Sequence, residues 1–309
     1  MTAPGSTRTN GQPPVVRSFL LGGFPGVFHA FSTRQGGVSR EPFASLNLGA
    51  GVGDDPGAVA ENRRRFFAGL GIAADQVVRV KQVHGNGVLV VNAALAGRSG
   101  FPGALAEDGA AHDAMTTDLP GLALTVSTAD CTPILILDPI RKALAAVHAG
   151  WPSTAKRIVV ETLTAMRRAY GTAPADCQVA IGPSIRGCCY EVDEPVASAM
   201  ATALPTWETC AVPTRPGHWR LDLAKVNRSL LEAAGVPRGQ IEDLGLCTAC
   251  RKDLFFSHRA EKGRTGRMLN VIMLKEESRA GNRESRVEKG TMRDEVSGFS
   301  VQASGTPDT

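Results

Sequence analysis

His84, Cys131 and His148 each follow a β-type run, and the end of a strand is where a rigid sheet can present a side chain without burying it in the core. Two imidazoles and one thiolate form a three-ligand set suited to zinc (Zn2+). Such a set leaves a fourth position open, as catalytic rather than structural zinc requires, and water held there ionises near neutral pH. The separations, 47 residues and then 17, match neither CxxC nor HExxH. Spacing alone therefore leaves a plainer reading open, two turn histidines and a buried cysteine. A metal-free reading uses the same atoms, with Cys131 as thiolate nucleophile and His148 or His84 as its base, the arrangement of a cysteine amidase or deamidase.

Two segments offer anion binding. His148-Ala149-Gly150-Trp151 runs into an expected helix start whose first turn would carry Lys156 and Arg157. The helix macrodipole disfavours cations there, so a phosphate or carboxylate seat beside His148 would account for them, although two solvated surface cations explain them more simply. The polar, glycine-rich loop from Ser32 to Ser39 carries Arg34, whose guanidinium is built for bidentate anion contacts. Cys188-Cys189 and the Cys247/Cys250 CxxC read as structural thiols, because one CxxC without a second pair at finger spacing is a weak zinc signal. His29, His112 and His218 read as surface or internally satisfied histidines.

These groups must be positioned by a chain of 309 residues, 43% hydrophobic and 21% charged, enough to bury one sizeable core. Residues 1–15 are polar and turn-rich, and residues 275–309 are charged without apolar periodicity, so both read as disordered tails around a single domain at 16–274. Asp55-Pro56, then Val59, Phe66, Phe67 and Leu70, then Gly71, predict one helix. Gln76–Val83 and Gly87–Val91 predict a hairpin with His84 at its tip. Leu122–Ser127, Ile134–Leu137 and Leu144–Val147 predict three strands. Two further helices are expected, one capped by Ser153 or Thr154 and ending at Gly171, the other from Asp222 to Ala234. Strands outnumber helices and do not alternate with them, which favours a mixed, layered α/β fold over a doubly wound sheet. The apolar stretches fall far short of the roughly 18–20 residues of a membrane span. The N-terminus lacks a signal pattern and seven cysteines fit no disulfide framework, so a reduced, cytoplasmic protein is expected. A net charge of +4 with 5% aromatics gives no nucleic-acid signature.

The strings FSTRQGGVSREPFASLNLG, GDDPGAVAENRRRF, VKQVHG, DAMTTDLPG, STADCTPILILD, AAVHAGW, AIGPSIRGCCYEV and LFFSHRAEKGRTGRM, in that order from about Phe31 to Leu274, resemble the laccase-domain, multicopper polyphenol oxidase family, now regarded as purine nucleoside phosphorylases. The resemblance implies a four-layered α/β/β/α fold like that of the cytotoxic necrotizing factor deamidases. It also implies a zinc held by His84, Cys131 and His148, which would double as the catalytic trio. Substrate or phosphate contacts fall to Arg34, Asn47 and Gln82 within the matched strings, and Asp113, at an acidic position of the family, is an orienter. The activities implied are phosphorolysis of adenosine, inosine, guanosine and methylthioadenosine, and deamination of adenosine. The partners are then a small-molecule nucleoside and phosphate, with no nucleic acid or membrane, in a monomer or small homo-oligomer. Copper is the weaker assignment, since six scattered histidines cannot build a multicopper centre. Three departures stand out. Pro152-Ser153 follow Trp151 where the family has Arg-Gly, which removes one candidate phosphate contact. His258 replaces a common Tyr, and Arg186-Gly187 replaces Gly-Pro; both read as loop changes.

Overall fold

The computed structural model describes residues 12–96 and 111–276, so the expected tails lie almost wholly outside the described residues. At the margins, Val15 already pairs with Ser32 in a strand, and the Lys275 Nζ donates to the Pro25 carbonyl.

Two mixed sheets carry the molecule. The first runs in the order β1 (Val15–Val16), β2 (Val27–Ser32), β14 (Met268–Leu274), β6 (Ala123–Thr128), β3 (Val77–Val78). The second runs β13 (Ile241–Asp243), β9 (Gln178–Ile181), β7 (Thr132–Asp138), β8 (Ala143–Ala149), β5 (Ala114–Thr117), β4 (Val88–Val90). A small antiparallel sheet of β10 (Glu191–Asp193), β12 (His218–Leu221) and β11 (Ala211–Arg215) falls between β9 and β13 in sequence. The helices are α1 (Phe19–Gly22), α2 (Pro56–Leu70), α3 (Ala93–Ala96), α4 (Trp151–Ala155), α5 (Ile158–Tyr170), α6 (Glu194–Ala203) and α7 (Leu223–Ala233).

Period-two alternation explains why β7 and β8 are apolar at nearly every position. Ile134, Ile136, Ala145 and Val147 face a core shared with α5, α6 and α7, while Leu135, Leu137, Leu144 and Ala146 face a core shared with the first sheet. A third core packs Phe66 and Phe67 of α2 on Ala30, Ala123 and Val271 of the first sheet. α2 begins and ends as its sequence signals require: the Asp55 carboxylate accepts from the Ala58 N–H, Pro56 sits in the first turn, and Gly71 closes the helix at φ 69°. Asp222 caps α7 in the same manner, accepting from the Lys225 N–H.

Two expected elements differ. The segments around His84 do not form a hairpin, because β3 pairs in parallel with β6 in the first sheet and β4 in parallel with β5 in the second. His84 therefore lies where the chain crosses between sheets, with a left-handed φ of 58°. The helix expected from Ser153 or Thr154 is broken in two by Arg157, which adopts φ 57° between α4 and α5. Lys156 consequently ends α4, where a cation complements the dipole, Arg157 is the residue that precedes α5, and both are exposed to solvent.

Candidate metal centre and electropositive cavity

The three candidate ligands reach one point from three different connections. His84 comes from the crossing between sheets, Cys131 from the tight link between β6 and β7, and His148 from the end of β8. Their ligand atoms all lie within 4.8 Å of one another. Cys131 Sγ is 3.7 Å from His84 Nε2, and the two imidazoles meet edge to face with ring centres 4.8 Å apart.

Asp113, just before β5, is the hinge of this arrangement and is fully buried. Its Oδ1 accepts from the His84 backbone N–H at 3.0 Å and pairs with His148 Nδ1 at 2.8 Å; its Oδ2 accepts from the N–H groups of Gly85 and Val83 at 2.6 and 3.2 Å. One carboxylate thus fixes both histidines and leaves Nε2 of His148 as the atom facing Cys131. Burial pushes the Asp113 pKa up, but the His148 ring and the backbone donors overcome it and hold the carboxyl below its usual range. Cys131 is fixed by its neighbour. Asp130 takes φ 84°, and its carboxylate accepts from Thr248 Oγ1, Ser257 Oγ and the Arg259 N–H, each at 2.7 Å. Gly150 makes room: a Cβ there would fall 2.6 Å from His84 Cδ2 and 3.1 Å from Cys131 Sγ.

Burial opposes ionisation of the Cys131 thiol, yet the charge of His148 and hydrogen bonding to both imidazoles draw its pKa down to about 6. Burial likewise opposes charge on His148, and Cys131 and Asp113 raise it to about 9. The trio already favours a thiolate. A soft-to-borderline cation fits such a donor set, with the orienting carboxylate behind the histidine that metal sites characteristically show.

The trio forms one wall of a cavity of about 690 Å³, within the roughly 300–1,000 Å³ range of small-molecule sites. Arg63, Arg79, Arg259, Arg267 and His258 also line it, as do the apolar Trp151, Ile185, Tyr190 and Leu223. No ion pair with a carboxylate is formed by these four arginines among the described residues. Burial and the nearby Arg79 lower the Arg63 pKa to about 10. The Arg267 pKa is also lowered by burial, against the pull of Cys131 and Asp130. Backbone carbonyls hold three of them, Leu48 for Arg63, Glu191 for Arg259, and Thr265 and Gly266 for Arg267, which leaves their positive charge without a carboxylate among the described residues.

The expected substrate contacts divide. Gln82 lines the cavity, although its amide is spent on both backbone groups of Ser127, at 2.7 and 2.8 Å. Asn47 is buried and turned inward: its Oδ1 accepts from the Gly49 and Arg267 N–H groups, and its Nδ2 donates to Asp54. It shapes the cavity rim through Gly49 and Arg267. Arg34 lies outside the cavity, its guanidinium bonded to Glu261 at 2.9 Å and to the carbonyls of Ala44 and Lys252, and stacked over Phe256. Its guanidinium is thus engaged within the protein, and the anion clamp expected at Arg34 is not among the groups that face the trio. The seat expected at the helix after Trp151 is corrected, since Lys156 and Arg157 lie at its far end. The four cavity arginines were missed. Arg63, Arg259 and Arg267 stand inside the matched strings NRRRF, FFSHR and GRTGRM, which was the available signal, and His258 is a cavity residue rather than a neutral loop change.

Residues 28–275 match the family described as multi-copper polyphenol oxidoreductase laccase. The chain belongs to that family. Among relatives in this laccase family, a protein of Deinococcus radiodurans named purine nucleoside phosphorylase is 43% identical over 276 residues, covering 89% of this chain and 95% of its own. Purine nucleoside phosphorylase YlmD of Geobacillus stearothermophilus is 39% identical over 259 residues, covering 82% and 92%. The crystal structure of YlmD from Geobacillus stearothermophilus superposes with a TM-score of 0.78 at 35% identity, over 88% of this chain and 100% of that one. No described helix is long and apolar enough to cross a membrane.

Proposed function

We propose that the protein is a zinc-dependent purine nucleoside phosphorylase, with His84, Cys131 and His148 as the metal ligands and the arginine wall as the phosphate seat. The observation that carries this reading is one cavity that joins a His-Cys-His trio to four arginines with no carboxylate ion pair among the described residues. The names of the relatives supply the substrate class. In phosphorolysis a phosphate oxygen bonds to C1′ of the ribose as the bond from C1′ to the purine nitrogen breaks, and the departing base takes up a proton. Arg63, Arg79, Arg259 and Arg267 hold the dianion and offset its charge, while Trp151, Ile185, Tyr190 and Leu223 offer apolar surface to the purine. Zinc, when bound, supplies Lewis-acid polarisation and lowers the pKa of a bound water, the chemistry that would also serve deamination of adenosine. The loss of Arg after Trp151 is compatible with this reading because the wall provides other cations. Residues 16–274 act as one domain, and the three separate cores support an α/β/β/α layering like that of the cytotoxic necrotizing factor deamidases.

The test is incubation of purified protein with inosine or adenosine, with and without phosphate, under metal depletion and zinc restoration. Phosphate-dependent release of free base with ribose 1-phosphate is expected, lost on chelation and restored by Zn2+. No free base from any purine nucleoside, with zinc bound, overturns it. Inosine from adenosine without phosphate reports deamination. The Asp113, His148, Cys131 chain favours a second reading, a metal-free cysteine hydrolase; amide turnover that survives chelators and is blocked by alkylating Cys131 would select it.

A further inference from the structure

Cys188, Cys189, Cys247 and Cys250 come from two turns far apart in sequence, yet their sulfurs all lie within 4.8 Å of one another. Cys250 Sγ is 3.5 Å from Cys188 Sγ and 3.3 Å from Cys189 Sγ. All four cysteines are free, and these separations are far beyond the roughly 2.05 Å of a disulfide. They approach the edge of a tetrahedron of sulfurs around a cation, about 3.8 Å when each zinc–sulfur bond is about 2.3 Å.

The backbone holds the two turns together independently of the sulfurs. Ser184 and Cys247 form a β-bridge, with Ser184 N–H donating to Leu246 and Thr248 N–H to Ser184, each at 3.1 Å. Arg186 sits between them and is bonded to Asp222 and to both oxygens of Asp243. The Arg251 N–H closes a helical turn on the Cys247 carbonyl, which brings Cys247 and Cys250 to one side.

The structure assigns a second metal site to these four cysteines, a closed four-thiolate centre for a thiophilic divalent cation such as Zn2+. Four protein ligands leave no open position, so the centre is structural. Its cation clamps the turn that leads into Tyr190 against the turn whose Thr248 braces Asp130 beside Cys131, two parts of the cavity wall. Loading transfers four sulfur lone pairs to the cation and releases the thiol protons to solvent; no oxidant is involved.

The experiment counts metal and free thiols on the full chain. Unaltered protein is expected to hold two zinc ions, the double variant His84→Ala/His148→Ala one, and Cys188→Ser/Cys250→Ser one. Cobalt substituted into the histidine variant should show the strong sulfur-to-cobalt charge transfer of a four-thiolate site, and its four clustered thiols should react with a thiol reagent only after chelation. The proposal is overturned if the histidine variant holds no metal while these thiols react freely, or if two of them are missing as a disulfide. It is equally overturned if the serine variant, folded by circular dichroism, retains two ions. None of these readouts depends on nucleoside turnover.

Discussion

Replacing Asp113 with Asn is the sharpest test of how the His-Cys-His trio is built. The side chain keeps its shape and loses one acceptor. In the native site Oδ1 serves the His84 N–H and His148 Nδ1, and Oδ2 serves the Gly85 and Val83 N–H groups. An amide must turn its NH2 toward one of those pairs, setting donor against donor in a position from which solvent is excluded. Each buried donor left without an acceptor costs about 1–3 kcal/mol, so the two together cost about 2–6 kcal/mol of stability. Loss of a carboxylate behind a ligating histidine typically weakens metal binding 10- to 100-fold, or about 1.4–2.7 kcal/mol. Urea unfolding of the metal-free protein reads the first effect, and competition with a chromogenic chelator for Zn2+ reads the second. Unchanged metal affinity in a destabilised variant would show that Asp113 only ties down the crossing loop, and the orienting role argued for it would be wrong.

Three further outcomes are expected. Gly150 has φ −74° and ψ 173°, which alanine tolerates, so Gly150→Ala acts only through the Cβ set against His84 and Cys131; at least a tenfold loss of zinc affinity is expected in a competition assay, with melting of the metal-free protein nearly unchanged. Arg79→Ala should raise the KM for phosphate roughly 10- to 100-fold, the worth of a charged hydrogen bond of about 1.5–3 kcal/mol, whereas Arg34→Lys should lower the melting temperature and leave that KM alone; the reverse pattern would return the anion to Arg34. His29 is buried, with Arg17 nearby, and its pKa falls from 6.5 to about 4, so the folded protein keeps it neutral to accept the Ser18 N–H while the unfolded chain binds a proton. Its contribution is therefore complete above about pH 6.5 and is lost as the pH drops toward 4, by about 3 kcal/mol, and in His29→Gln the stability measured by urea unfolding should fall less across that interval than in the native protein.

What the sequence disclosed followed the range over which each signal acts. α2 and α7 were legible because caps, apolar period and stop signals all lie within a dozen or so residues. The β7–β8 pair was legible because two apolar runs flank a short turn. The crossing at His84 was not. A tight turn between two β-branched runs has the same local chemistry whether the strands pair with each other or with β6 and β5, and only the distant partners decide. The break at Arg157 is similar: the apolar period continues across it, and the left-handed residue that separates α4 from α5 is neither Gly nor Asn.

The site shows the same division in a form that bears on function. The trio stood out because imidazoles and thiols are scarce and each ended a recognisable strand. The arginines did not, since Arg is common and its meaning depends on whether a carboxylate reaches it. Arg34 and Arg63 both lie in matched strings and look equally able to bind phosphate, yet Glu261 stands 2.9 Å from Arg34 and no carboxylate pairs with Arg63 among the described residues. Glu261 is 227 positions away from Arg34, a distance over which no spacing rule operates. The cysteines repeat the lesson in reverse. A lone CxxC and a lone Cys-Cys are each weak metal signals, and become a four-sulfur site only because the Ser184–Cys247 bridge and the Arg186–Asp243 ion pair bring two turns together. Residues of ordinary type thus acquire function from what the fold places beside them, and here that placement puts four arginines with no carboxylate partner among the described residues, not merely a metal trio, around one cavity.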